Sequence, residues 1–380
     1  MKNHALQLSD QKLQDLYVVT QFADASVNST GYLWALLIQS AEQAGYRVRV
    51  ISPRAVWPAY IPKALIKLIT TLSLLIACLR RLPRHSTVLC ATNPVFLPLA
   101  LSLVHWVKRV KVFVVIHDLF PQNAVVAGYV AASSRSYRGL RAVFRIAYQS
   151  CAGVVVIGRD MQQVARGWLG PDLPIEYVAN WVPATPLARP QTLPSTAKDR
   201  HICRFQYFGN LGALQGLDVV LDGIARSHAT NARFDFIGTG ASAAAIAAHP
   251  ILARDTRISL HPTVAFADRN AVLGACDVSL VTLRPQMYGL AVPSKAYFSF
   301  ANGVPILYMG DTGSELHLTL QEAPALGRFV PAGNAQALAD TIDQLCTMPP
   351  DPDFGPQAAK VMADLHPDQA LRKIMAFINR

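Results

Sequence analysis

The sequence predicts an α/β fold with two Rossmann-like domains facing a cleft. Three observations carry that reading. Short apolar runs alternate with helix patterns along the whole chain, the signature of parallel sheets covered on both faces. The alternation is interrupted once, by a stretch rich in Pro, Ser and Thr, and then starts again. A chain of 380 residues also has the length for two domains of ordinary size.

The first series opens with LYVVTQF (Leu16–Phe22) and the loop ADASVNSTG, followed by the helix pattern YLWALLIQSAEQAG ending at Gly45. RVRVIS, TVLCATNP, KVFVVIHDLFP, AGVVVIG and IEYVANW supply strands two to six. PATPLARPQTLPSTAKDR (Pro183–Arg200) reads as the linker, so domains are expected over 1–183 and 201–380 with a linker at 184–200. The second series contains CRFQYFG, RFDFIG, RISLHP, VSLVTL and PILYM, and closes on a terminal helix in QALRKIMAFINR, which is free to pack back on the first domain. In open parallel sheets ligands bind beyond the carboxyl ends of the strands, so chemistry is expected just after each strand.

The chain is 52% hydrophobic and 16% charged, so it can bury large cores. Six scattered cysteines, with no CxxC and no Cys/His pairing at metal spacing, read as buried thiols in a reducing compartment. The polar start MKNHALQLSDQKLQD shows no signal-peptide pattern. All of the net charge of +11 falls in the half up to Pro183. Such asymmetry implies an anionic partner for that half, a membrane surface or nucleic acid; no aromatic-basic module favours nucleic acid. The apolar run LITTLSLLIACL (Leu68–Leu79) is too short to span a bilayer and is flanked by Lys63, Lys67, Arg80, Arg81 and Arg84. It fits a core-packed helix or an interfacial one.

Several strand ends carry candidate chemistry. FGNLGALQGLD (Phe208–Asp218) is a glycine-rich turn leading into a helix, where Gly209 and Gly212 permit close approach of a ligand. FIGTGASAAA (Phe236–Ala245), with Gly240, resembles a dinucleotide fingerprint, although it sits on the second strand of its domain rather than the first. His117 and Asp118 end the fourth strand. Ser29, Thr30 and Gly31 open the first helix, with Ser29 or Thr30 as the N-cap and Gly31 letting an acceptor come close. AVPSKAYFSFANGVPIL (Ala291–Leu307) reads as a helix that begins after Pro293, ends at Gly303 and carries Ser294 and Lys295 at its mouth. A lysine is disfavoured at that end of a helix, which suggests that an anion joins it.

Taken in order, these pieces resemble glycosyltransferases of the GT-B fold, in the retaining family 4, and within it bacterial enzymes of surface polysaccharide synthesis. The similarity runs over nearly the whole chain, through HDLFPQNAVVAG, VVVIGRDM, VANWV, YFGNLGALQGLD, FDFIGTG, CDVSLVTL, VPSKAYFSFANGVPIL, GDTGSEL and VPAGNAQALADTI. The resemblance implies a nucleotide sugar in the second domain, held by Gly209, Asn210, Gly212, Gly240, Tyr288, Gly289, Leu290, Ser294 and the position of Phe298. It implies catalytic roles for Lys295 at the leaving diphosphate, for His117 near the donor sugar and acceptor hydroxyl, and for Asp118, with the acceptor near Thr30 and Gly31. Two departures stand out. Gln215 holds a place where many relatives carry lysine, and Phe298 replaces the ribose-binding glutamate; the earlier glutamate of the Glu-x7-Glu motif is also missing near Gln286, Met287 and Tyr288.

The implied reaction is retaining transfer from a UDP- or GDP-sugar, with no metal or resident cofactor. The implied acceptor is a polyprenyl-diphosphate-linked saccharide at the inner face of the plasma membrane. The partners would then be the nucleotide sugar, the lipid-linked acceptor and an anionic membrane surface, and not nucleic acid. The alternatives are an NAD(P)-dependent oxidoreductase, resting on GTGASA, and a non-catalytic nucleotide-sugar-binding subunit, resting on the missing glutamates.

Overall fold

The computed structural model describes residues 15–24, 28–53, 62–182, 202–265 and 268–380. The expected linker at 184–200 lies outside these residues, as do residues 1–14 of the polar N-terminus.

The first half forms β1 (Asp15–Val19), α1 (Ser29–Gln43), β2 (Arg47–Ile51), α2 (Lys63–Arg81), β3 (Thr87–Ala91), α3 (Leu97–Lys108), β4 (Lys111–Ile116), α4 (Gln122–Val126), α5 (Arg135–Gln149), β5 (Gly153–Val156), α6 (Arg159–Leu169) and β6 (Ile175–Tyr177). Its six strands pair in parallel in the order β2-β1-β3-β4-β5-β6. The runs VLCA of β3, VFVVI of β4 and GVVV of β5 are buried on both faces, which is why they read as continuous apolar segments rather than alternating ones.

The second half forms β7 (Cys203–Phe208), α7 (Leu217–Arg226), β8 (Ala232–Ile237), α8 (Ala243–Ala247), β9 (Ile258–His261), α9 (Arg269–Gly274), β10 (Val278–Thr282), α10 (Lys295–Ala301), β11 (Ile306–Gly310), α11 (Glu315–Glu322), β12 (Gly327–Pro331), α12 (Ala335–Leu345), α13 (Phe354–Asp364) and α14 (Pro367–Ile378). Its sheet is also parallel and six-stranded, in the order β12-β11-β10-β7-β8-β9. The α/β architecture of two Rossmann-like sheets is therefore the one expected. β12 was absent from the expected strands, because GRFVP begins on a glycine and ends on a proline.

Right-handed crossovers place α2, α3, α5 and α6 on one face of the first sheet and α1 on the other. α14 returns to the first sheet beside α1, where Phe377 meets Phe113 of β4 at 5.6 Å between ring centroids. Gly153 makes room for it: a Cβ there would stand 2.5 Å from the Phe377 ring.

Two local details differ from the sequence expectation. The N-cap of α1 is Asn28, whose side chain accepts from the Gly31 N–H at 2.9 Å, so Ser29 and Thr30 lie inside the helix. Cys78, Cys90, Cys151 and Cys276 are buried as expected, but Cys203 and Cys346 are half-buried, and their thiols meet side by side.

Candidate active site

The carboxyl ends of both sheets meet across a shared boundary. Antiparallel bridging joins Asp118 to Ala291, and the Leu119 N–H donates to the Leu290 carbonyl at 2.8 Å. The segment after β10 is thus docked onto the segment after β4, and α10 follows four residues later.

Lys295 is the first residue of α10, with Ser294 as N-cap and Pro293 just outside. Gly303, at φ +73, stops the helix where the sequence predicted. The helix has only seven residues and its cap makes no side-chain bond, so its N-terminus contributes little to an anion site by itself. The ammonium does more. Lys295 Nζ is buried, has no hydrogen-bond partner, and lies 3.8 Å from the centroid of the Tyr207 ring. Burial without a counter-ion pushes it down to about 7. Tyr207 is fixed in turn by its hydroxyl, which donates to the Asn210 carbonyl at 2.7 Å.

The glycine turn after β7 sits directly against this ammonium. A Cβ on Gly209, whose φ is +132, would fall 3.7 Å from Lys295 Nζ. Gly212 is equally constrained, because a Cβ would meet the Asn210 side chain at 2.6 Å and Gln215 Oε1 at 2.7 Å. Gln215 therefore folds over its own turn; Lys295 brings its ammonium to the Gly209 end, while Arg284 borders the far end, where its N–H donates to the Leu214 carbonyl at 2.9 Å and its guanidinium lies 3.9 Å from Asp218.

The second glycine turn, after β8, has a structural explanation. A Cβ on Gly238 would collide with the Gly209 carbonyl at 1.9 Å, and one on Gly240 with the Leu211 carbonyl at 2.2 Å. The Leu211 N–H donates to the Thr239 carbonyl at 2.9 Å, so the two turns are stacked backbone on backbone. These glycines are needed for that stacking, which removes the main support for a dinucleotide fingerprint. Gly238→Ala should displace the Gly209 turn at a cost of about 1–3 kcal/mol, the usual range for overpacking. Chemical denaturation should show that loss, and nucleotide affinity should fall with it. Unchanged stability would mean that the turns are not locked together.

His117 and Asp118 stand opposite. His117 packs edge-on against Trp34 and Trp181, each at 6.4 Å between ring centroids. Its Nε2 is buried with no partner, and burial pushes the imidazole down to about 4, so it is neutral at pH 7. Asp118 is exposed to the cleft, yet the protein surrounding it raises its carboxyl above the usual range. The two neighbours therefore differ in setting: the His117 ring is enclosed by the tryptophans, and the Asp118 side chain is exposed.

The other expected residues have partners within the protein. The N–H groups of Tyr288 and Gly289 donate to Asp311 Oδ2 at 2.7 Å and Asp160 Oδ2 at 2.9 Å, and that of Leu290 to the Met287 carbonyl. These three amides are engaged within the protein, and Gly289 packs against Val164 of the first domain. Phe298 is buried against Tyr32, with ring centroids 6.0 Å apart, and near the Arg269 guanidinium. It thereby fills an interdomain contact at the place the resemblance gave to a ribose-binding carboxylate. Gly31 is explained by packing, since a Cβ would meet the Asp24 carbonyl at 2.3 Å. Thr30 is half-buried in the first turn of α1.

The sequence reading missed the clamp between the domains. Glu315, only 3% exposed, accepts from the Arg159 N–H at 2.6 Å, from its Nε and Nη2 at 3.0 Å, and from the Tyr177 hydroxyl at 2.9 Å. Arg159 also pairs with Glu322. Asp160 holds the Gly289 amide, and Tyr288 donates its hydroxyl to Gln163 at 2.6 Å. No local pattern distinguishes these residues from ordinary surface charges.

Residues 203–348 match the family model described as glycosyl transferases group 1. Over 364 residues the chain is 30% identical to the probable glycosyltransferase WbjE of Pseudomonas aeruginosa, covering 88% of this chain and 90% of that protein. Among solved structures, the fold is similar to the lipopolysaccharide outer core galactosyltransferase WaaB in its apo form, with a TM-score of 0.66 at 11% identity over 96% of this chain and 99% of that one. It is also similar to Anabaena HepE in complex with UDP-glucose, with a TM-score of 0.65 at 12% identity, over 96% of this chain and 99% of that one.

Proposed function

The chain belongs to the group 1 glycosyltransferases, and from that premise we propose that it transfers a sugar, with retention, from a nucleoside diphosphate sugar to a lipid-linked saccharide in the synthesis of a bacterial surface polysaccharide. The observation that carries the reading is Lys295: a buried ammonium without a counter-ion, set against the Gly209 turn. A cation left unpaired in the native state is costly unless an anion arrives. The leaving diphosphate supplies that anion. A neighbour of the same fold was solved with UDP-glucose and another is named as a lipopolysaccharide galactosyltransferase, which supports the donor class and the product class.

In this reading the acceptor hydroxyl attacks the anomeric carbon from the side on which the diphosphate departs. The bond from that carbon to the diphosphate oxygen breaks, the bond to the acceptor oxygen forms, and the acceptor proton passes to the leaving diphosphate. Lys295 stabilises the charge that grows on the diphosphate. Neutral His117 offers Nε2 to a sugar or acceptor hydroxyl, and Asp118 orients the acceptor. Arg269, stacked 4.2 Å from the centroid of the Tyr32 ring and beside Phe298, keeps α10 aligned with the acceptor domain. The enzyme would work at the inner face of the plasma membrane, where a polyprenyl-linked acceptor is presented.

A thermal-shift panel of UDP-, GDP-, ADP- and dTDP-sugars, with NAD and NADP as controls, tests the donor class. Stabilisation by at least one nucleotide sugar and none by the nicotinamides is expected. The reverse pattern would overturn the reading. Proton NMR of the first product then reads the anomeric configuration: the same configuration as the donor is expected, and inversion would remove front-face attack.

A further inference from the structure

From Gln43 to Gly158 the chain carries 15 Lys and Arg and one acid, Asp118, which opens to the cleft. The helices α2, α3 and α5 contain no Asp or Glu at all. The same three helices hold nine of the 14 large hydrophobic side chains that the described residues expose. On α2 these are Leu65, Leu68, Leu72 and Ile76, each 46–49% exposed. Their spacing of three, four and four residues draws one stripe of about 16 Å along the outer face, at 1.5 Å per residue. The opposite face of α2 buries Leu74 and Cys78 against the sheet.

α3 packs between α2 and α5 and continues the stripe with Trp106, which is 73% exposed. On α5, Arg141 stacks over Trp168 of α6 at 5.7 Å, which marks the side turned away from α3. Val143 and Ile146 lie on the other side, toward α3, and both are exposed. Exposed Arg138 and Arg145 border them, and exposed Lys67, Arg80 and Arg81 border α2. The result is a continuous apolar face with a basic margin and no acid, larger than scattered surface hydrophobics explain.

We propose that this α2–α3–α5 face docks on an anionic phospholipid bilayer, with the apolar stripe in the acyl boundary and the arginines and lysines at the headgroups. Charge complementarity selects this occupant: a wholly cationic margin suits a negatively charged surface and would repel a second copy of itself. No helix among the described residues is long and apolar enough to cross a membrane, so the contact is interfacial. Helices that follow parallel strands begin at the strands' carboxyl ends, so the Leu65 end of the stripe lies on the cleft side, nearest Asp118. The proposal rests on the transferase reading only for its purpose, the delivery of a lipid-linked acceptor to that cleft.

Co-sedimentation of the full chain with vesicles tests it without any donor or acceptor, so its outcome is separate from that of the nucleotide-sugar panel. Vesicles of phosphatidylcholine and phosphatidylglycerol in equal parts should pellet the protein at low salt, and high salt should release much of it. Pure phosphatidylcholine should bind at least tenfold more weakly. Arg138→Gln with Arg145→Gln should weaken binding to the anionic vesicles about 25-fold, about fivefold for each charge removed near the surface. Leu72→Gln with Ile76→Gln should weaken it at least tenfold with the melting temperature preserved, because both side chains are already half in water. Trp106 emission should shift to the blue on anionic vesicles, and Trp106→Phe should lose that shift. Absence of binding to anionic vesicles at low salt, or equal binding to neutral ones, would overturn the proposal. So would a dimer in sedimentation that Leu72→Gln with Ile76→Gln abolishes, since the face would then be covered by a second copy.

Discussion

Replacing Lys295 by alanine is expected to lower turnover about 100- to 1000-fold at saturating donor, the usual loss when one well-placed group that stabilises developing negative charge is removed. The size follows from the setting. Lys295 Nζ is the cation placed against the Gly209 turn, it is shielded from water, and no protein anion is bonded to it. Charge interactions in such a site are far stronger than in solvent. Gln215 cannot replace it, because an amide carries no net charge and its Oε1 is turned back on Gly212. Turnover equal to the unaltered enzyme would remove Lys295 from the reaction.

The same residue has a stability signature of opposite sign. Lys295 titrates near 7 in the folded chain, well below an ordinary lysine, because of burial. Between that value and the ordinary lysine range the unfolded chain holds a proton that the folded chain has lost, so stability rises with pH there. At and below pH 7 the folded chain bears the full penalty of a buried ammonium. Lys295→Met should therefore be more stable than the unaltered protein at pH 6, and the gap should close as the pH rises toward 10. Denaturant midpoints across that range check this. A gap that widens with pH would contradict it.

The second large effect is expected at Glu315. Glu315→Ala should destabilise the protein by about 3 kcal/mol, the low end of the range for breaking a buried ion pair. Glu315 is buried and satisfies two groups of the other domain, Arg159 and Tyr177. The cost stays at the low end because the Arg159 side chain is 33% exposed and keeps Glu322. Since the clamp joins the two sheets, small-angle scattering should also report a larger radius of gyration. A denaturant midpoint and a radius both unchanged would show that the domains are held together elsewhere.

The fold class was legible because parallel strands buried on both faces leave unmistakable apolar runs, as in KVFVVI and GVVV. The order β12-β11-β10-β7-β8-β9 was not, since strand order depends on crossovers that leave no mark on single segments. Lys295 stood out in the sequence for a physical reason: a cation at the wrong end of a helix contradicts local electrostatics, and in the structure its ammonium is buried, unpartnered and set against Gly209. GTGASA misled because a dinucleotide and a neighbouring backbone both demand the absence of a Cβ, and here the neighbour is the Gly209 carbonyl. Tyr288, Gly289 and Leu290 could not be judged from sequence, because the carboxylates that take two of their amides, Asp160 and Asp311, are 129 and 23 residues away from their partners. The apolar face proposed to meet lipid was half visible. The run Leu68–Leu79 announced an amphipathic α2, but only the packing of α3 and α5 beside it shows how far the apolar face extends.

Calorimetric titration of UDP and of GDP into the unaltered chain and Lys295→Met, at pH 6.5 and 8.5, tests the central claim most directly. The account predicts that at least one of the two binds, that binding at pH 8.5 takes up a proton as Lys295 regains its charge, and that the methionine variant loses both the affinity and the proton uptake. Equal affinity of the two proteins, with no proton uptake at pH 8.5, would contradict it.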